Sequence, residues 1–240
     1  MPGISENPPI RAILFDVDGT LVDSIAMIIA GLGDTYENFT GNRPSDSEIA
    51  ALIGTPLVGQ MKLFGLNPDE AQLQELCDYT IQRYGVHQHL ETEFVDAVEA
   101  LINAHQIGLK TALVTSRNAV EVEILSQHFS GWSAADTAVS ASDVVNPKPS
   151  PDPALLALER LGVSAEDAIM IGDSVFDLRC ARGAGLRSGA VLYGAGKKED
   201  LLAETPDYVF TTPTDLLDWV CNLIEQHHAT EENHSCRTDF

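Results

Sequence analysis

Basic residues are scarce in this chain. Its 240 residues include 14 Lys and Arg against 36 Asp and Glu, for a formal net charge of −22. Only five are lysines. Such a surface repels phosphate backbones and anionic lipid, which excludes nucleic acids and membranes as partners. It fits either a saline cytoplasm or an ordinary acidic protein with an acidic C-terminal tail. In both cases the surface repels itself at low ionic strength. Added KCl is therefore expected to raise the melting temperature. A Tm that stays flat or falls up to roughly 1 M salt, where the screening length is about 3 Å, overturns this.

Long apolar runs are also missing. No run approaches the roughly 18 residues that a membrane-spanning helix needs. Met1 to Pro9 is polar and Pro-rich, without the apolar segment of a signal peptide. These features predict a cytoplasmic protein. Cysteine is sparse: Cys77, Cys180, Cys221 and Cys236 lie far apart with no CxxC pair. Free thiols are expected, not zinc or redox chemistry. His87 and His89 have no neighbours in sequence that complete a metal site, and His227, His228 and His234 fall in a polar tail.

What is present alternates. Ala12–Phe15, Leu109–Val114, Thr137–Ser140, Ala168–Ile171, Ala190–Tyr193 and Tyr208–Phe210 read as short buried strands. Helical patterns separate them, at Phe94–Gln106, Asn118–Phe129, Asp152–Leu161 and Val175–Ala184. Alternation of this kind predicts an α/β fold on a parallel sheet. Between 25 and 90 the pattern is helical throughout. Ile25, Ile28, Ile29, Leu32 and Tyr36 recur at helix spacing, Ser45 or Asp46 can cap a short helix, and Pro68-Asp69-Glu70 opens another. With 240 residues against roughly 150 for one domain, a core with a helical insertion is expected. The expected boundaries are 1–20 and 93–227 for the core and 21–92 for the insertion, with 228–240 disordered.

Four stretches carry chemistry. In Asp16-Val17-Asp18-Gly19-Thr20 two carboxylates follow a buried strand, two residues apart and so on one face. They repel unless a cation sits between them or one holds a proton. Such a pair suits a nucleophile or metal ligand beside a proton shuttle. Gly19 permits a sharp turn. Val114-Thr115-Ser116-Arg117-Asn118 ends a strand in hydroxyls and N–H groups that can hold a phosphate oxygen. Asn146-Pro147-Lys148-Pro149-Ser150-Pro151 presents one of the few lysines on a stiff loop, where it can neutralise an anion. Gly172-Asp173-Ser174-Val175-Phe176-Asp177 puts hard carboxylates on a short loop, which suits Mg²⁺.

In this order, the four stretches resemble the motifs of the haloacid dehalogenase superfamily, in the branch of phosphoglycolate phosphatase-like members. Val17 stands where that family usually has Leu or Met. The resemblance implies a Rossmann-like three-layer core with an inserted helical cap, and a Mg²⁺-dependent phosphatase of a small phosphorylated metabolite. It implies Asp16 as nucleophile, forming an aspartyl-phosphate, and Asp18 as general acid and base. Thr115, Ser116 and Lys148 would hold the phosphoryl oxygens. Asp16, the backbone carbonyl of Asp18, and Asp173 would bind the metal, supported by Gly19, Thr20, Gly172 and Asp177. Ile53-Gly54-Thr55-Pro56-Leu57 resembles a cap loop of the same members, and Arg43, Thr55 and Lys62 are the candidate cap contacts to substrate. Sugar phosphomutases and pyrophosphatases share this core and remain alternatives. Dehalogenases generally lack the second aspartate, and phosphonate hydrolysis needs a cap lysine in surroundings that Lys62 does not match. A scaffold without activity would be expected to have lost carboxylates that are all present here. The implied partner is a small phosphate ester, and the implied assembly a monomer or homodimer.

Overall fold

Period-two alternation explains the core. The computed structural model describes residues 9–63 and 68–223. Strand β1 (Ala12–Phe15) has no solvent-facing side: Ala12 and Leu14 pack into one apolar cluster, Ile13 and Phe15 into another. That is why it reads as an unbroken apolar run. Burying each large side chain contributes about 1.5–3 kcal/mol.

The chain then forms β2 (Val22–Asp23), the helices α1 (Ile25–Thr40), α2 (Asp46–Ala50), α3 (Leu57–Leu63) and α4 (Glu70–His87), and β3 (Thr92–Glu93). It returns through α5 (Val95–Gln106), β4 (Lys110–Val114), α6 (Ala119–Ser126), β5 (Thr137–Val139) and α7 (Asp152–Leu161). Last come β6 (Ala168–Gly172), α8 (Val175–Ala184), β7 (Arg187–Val191), α9 (Lys198–Ala203), β8 (Tyr208–Phe210) and a helix at 213–223.

Six strands make one parallel sheet in the order β5-β4-β1-β6-β7-β8. One face is covered by α5 and the helix at 213–223, through Ala97, Leu101, Leu216 and Val220. The other is covered by α7 and α8, through Ala154, Ala157, Cys180 and Ala181. This is the expected three-layer α/β arrangement. The order runs one way from β1 to β5 and then the other way from β6 to β8, so β1 lies at the switch point. Crevices for ligands open there, beyond the carboxyl ends of the strands.

Helices α1–α4 bury a cluster of their own, which includes Met27, Leu32, Tyr36, Ile49, Met61 and Leu76. Inside it the Thr35 and Thr80 hydroxyls meet at 2.9 Å, and Tyr36 Oη donates to the Gln60 carbonyl at 2.6 Å. Gly31 is required where α1 crosses α4, because a Cβ there would stand 2.4 Å from the Tyr84 ring.

Three local differences from the sequence reading have physical causes. The chain enters and leaves the helical segment through an antiparallel ribbon of β2 and β3, and two-residue strands are too short to show a period. Strand β7 starts at Arg187, three residues ahead of the expected Ala190. Gly185 ends α8 in a left-handed turn, and the N–H of Ser188 is paired with Asp207. The polar start of that strand concealed it. Helix α3 follows Pro56, where the sequence suggested only a cap loop at Ile53-Gly54-Thr55-Pro56-Leu57; proline can begin a helix as well as end one. The tail at 228–240 and Cys236 lie outside the described residues. Among those described, no helix is long and apolar enough to cross a membrane.

Candidate active site

The first aspartate stands one residue beyond β1. Its N–H still pairs with the Ile171 carbonyl of β6, which fixes the backbone at the sheet edge. Beyond it the chain turns sharply: the N–H groups of Leu21 and Val22 both donate to the Val17 carbonyl. Gly19 sits in the left-handed region (φ +80°), and a Cβ there would lie 2.1 Å from Asp173. The glycine thus allows both the turn and the approach of the last motif. Thr20 donates its hydroxyl to Asp16 Oδ2 at 3.3 Å.

Lys148 reaches this carboxylate from the Pro-rich loop. Its Nζ lies 2.5 Å from Asp16 Oδ1, 2.7 Å from Asp177 Oδ1 and 3.0 Å from the Val114 carbonyl, so all three ammonium donors have partners. Its side chain is 2% exposed. Burial opposes its charge, but the two carboxylates outweigh burial and push its pKa up.

Asp16, Asp173 and Asp177 bring carboxylate oxygens within 4.8 Å of one another. Asp177 has both oxygens engaged: one takes Lys148, and the other accepts from the Ser174 N–H (3.1 Å) and hydroxyl (2.5 Å) in a capping box on α8. Gly172 makes room for it, since a Cβ there would stand 2.3 Å from the Asp177 carboxyl carbon. Asp173 Oδ2 accepts from the Ala195 N–H at 2.6 Å. Three carboxylates around one ammonium leave two negative charges uncompensated. Burial and the neighbouring carboxylates push Asp16 up to about 7 and raise Asp173 well above its usual range. A divalent cation fits this arrangement in charge and in hard oxygen donors, and Asp16 and Asp173 are the carboxylates with capacity left to hold one.

Asp18 faces the same cleft as Asp16 but has a different cation. Arg117 grips it from Nε (3.0 and 3.2 Å) and from a terminal nitrogen (2.7 Å), and Ser24 donates to it at 2.6 Å. Burial favours the protonated acid, yet the Arg117 charge outweighs burial and holds Asp18 below the ordinary carboxylate range. The same guanidinium also binds Glu91 at 2.6 Å, next to the ribbon. The Asp18 side chain therefore lies outside the acidic trio. Thr115 is buried, and its hydroxyl oxygen accepts the Arg117 N–H at 3.1 Å. Ser116 donates to the Gly54 carbonyl at 2.7 Å, which ties the second motif to the helical segment.

A scan against family models matches residues 13–191 to the haloacid dehalogenase-like hydrolases. The chain belongs to that family. Two relatives bear the name pyrophosphatase PpaX. One, so named only provisionally, is from Caldanaerobacter subterraneus and is 34% identical over 219 residues, covering 91% of this chain and 98% of its own. The other is from Bacillus velezensis and is 32% identical, covering 87% and 95%. A structure from Clostridium acetobutylicum, described as a predicted phosphatase, superposes with a TM-score of 0.78 at 25% identity, covering 89% of this chain and 99% of that one.

Among the hydrolase's candidate cap contacts, Thr55 lines the cleft, with its hydroxyl donated to the Leu52 carbonyl. Arg43 does not line it: its guanidinium binds Asp34 at 3.0 Å and flanks Gly33. Asp34 also collects Arg83 and His87, so Arg43 belongs to an ion cluster within the helical segment. The side chain of Lys62 lies outside the described residues. Sequence reasoning missed Arg117, Glu91, Glu121 and the Ala195 N–H. Arg117 had a usable signal, a rare cation directly after two site hydroxyls. Gly194-Ala195-Gly196 had another, a glycine loop after a strand. The two glutamates had none.

Proposed function

We propose that this hydrolase removes phosphate from a small phosphorylated metabolite through an aspartyl-phosphate on Asp16. The observation that carries the reading is Asp16 at the end of the central strand, held by a buried Lys148 beside two further carboxylates. The other expected roles follow from position. The core at 1–20 and 93–227 carries the chemistry, and the helices of 21–92 act as a cap that closes over the cleft and excludes water.

Asp16 attacks phosphorus, and its Oδ1 exchanges part of its Lys148 contact for the new bond. Lys148, Thr115 and Ser116 hold the transferring oxygens, with Lys148 supplying positive charge where negative charge builds up. Asp18 rests as a carboxylate, the form that accepts a proton from the hydrolytic water. A dianionic phosphate brought beside it raises its proton affinity, which fits its role as acid toward the leaving oxygen. Asp16, Asp173 and the Asp18 carbonyl would hold Mg²⁺, which when bound neutralises charge on the phosphoryl group.

The names of the relatives favour a second reading, in which the leaving group is itself phosphate. Either way, chelation should abolish release of inorganic phosphate from a nitrophenyl ester, and Mg²⁺ should restore it. Ca²⁺ should inhibit, because its larger, looser coordination shell disturbs in-line geometry. Full turnover after exhaustive chelation overturns the metal assignment. Absence of both phosphate release and an Asp16 adduct overturns the phosphatase reading.

A further inference from the structure

The far wall of the cleft, where a leaving group would lie, is apolar and acidic. Met27, Ile28, Ile53, Leu57, Ile81 and Ile124 give it its apolar surface. Besides Asp16, the charged residues described on the wall are Asp18, Glu91, Arg117 and Glu121, with His128 at the rim. Arg117 is already closed on both sides, by Asp18 and by Glu91, and its side chain is only 10% exposed. His128 is paired with the other Glu91 oxygen at 3.0 Å. Glu121 is fixed on the wall because its Oε2 accepts the Asn118 N–H at 2.9 Å. Burial pushes it up to about 7, and the Asn118 N–H and the Arg117 charge offset that only in part. Among the described residues, then, the wall offers a leaving group one carboxylate outside an ion pair, Glu121, and no uncommitted cation.

We propose that the enzyme selects phosphate monoesters whose alcohol carries no negative charge, and prefers an amine-bearing alcohol over its carboxylate counterpart. This rests on the phosphatase reading and narrows its substrate class. A glycolate carboxylate, or the second phosphate of pyrophosphate, would be stripped of water against aliphatic side chains while facing Glu121 and no free cation. Unpaired burial of that kind and like-charge contact both oppose binding. A neutral alcohol avoids both costs, and an ammonium gains from Glu121.

The test compares four substrates on the full chain with Mg²⁺. Three are close in size: 2-aminoethyl phosphate, propyl phosphate and 2-phosphoglycolate. Pyrophosphate is the fourth. The expected kcat/KM for the two anionic-leaving-group substrates is about tenfold or more below that of the other two. Glu121→Gln keeps the acceptor for the Asn118 N–H, so α6 stays capped, but it removes the charge that Glu121 carries above about pH 7, so the comparison is made at roughly pH 8.5. It should narrow the aminoethyl-to-glycolate ratio several-fold. Faster turnover of phosphoglycolate or pyrophosphate than of both other esters overturns the proposal, as does a ratio that Glu121→Gln leaves unmoved. If none of the four nor a nitrophenyl ester releases phosphate, and Asp16 acquires no adduct, the phosphatase reading falls and this one with it.

Discussion

Asp16→Asn is expected to abolish phosphate release, by about 10⁴-fold or more, since it removes the nucleophile itself. Mass spectrometry after exposure to substrate should show no phosphate on the protein. Asp18→Asn separates the second carboxylate from the first. It keeps the nucleophile and removes the proton shuttle, which typically contributes about 10²- to 10⁴-fold. Esters with poor leaving groups should lose at least that much. A nitrophenyl ester should lose less in the first step and then accumulate as phospho-enzyme, because no base remains to activate water. An adduct on the Asp16→Asn protein at any residue overturns the assignment.

The same substitution should stabilise the metal-free protein. Asp16 is pushed from the usual aspartate value of 3.8 up to about 7 by burial and by Asp177. Between those values the folded protein binds a proton that the unfolded chain releases, so stability falls as pH rises through this window. Asparagine carries no charge to bury and removes that loss. At pH 8 with chelator, the Asp16→Asn protein should melt above the wild type. A lower Tm would show that the Lys148 contact outweighs the repulsion.

Lys148→Met should instead cost both activity and stability. One ammonium satisfies Asp16, Asp177 and the Val114 carbonyl at once. Removing it leaves two buried carboxylates without their cation, and breaking a buried ion pair costs about 3–5 kcal/mol. For a chain of this size that lowers Tm by roughly 10 °C. Turnover should fall with it, because no other described residue brings positive charge to Asp16. A protein that melts within about 2 °C of the wild type, well under the shift expected for a broken buried pair, would show that protonation of the carboxylates absorbs the loss.

These two substitutions are expected to lower the same activity and to move stability in opposite directions. The reason is that the site holds more negative charge than one lysine offsets, as expected where function is kept at the expense of stability.

The chain's local patterns were enough to determine the parallel α/β core, the helical insertion and the residue types at four strand ends. Each of those signals is short-range: an apolar run, a helical period, a cap, or a carboxylate placed after a strand. Lys148 was legible because lysine is rare here and its loop is stiff. Only the tertiary structure decided how the charges pair. Arg117 meets Asp18 across 99 residues, Lys148 meets Asp16 across 132, and Ala195 turns its N–H to Asp173 across 22. Arg43 was a substrate candidate as long as its partner was unknown, and folding α1 brought Asp34 to it. Two charges neutralise each other only when a few ångströms apart. Separation in sequence says little about that separation in space.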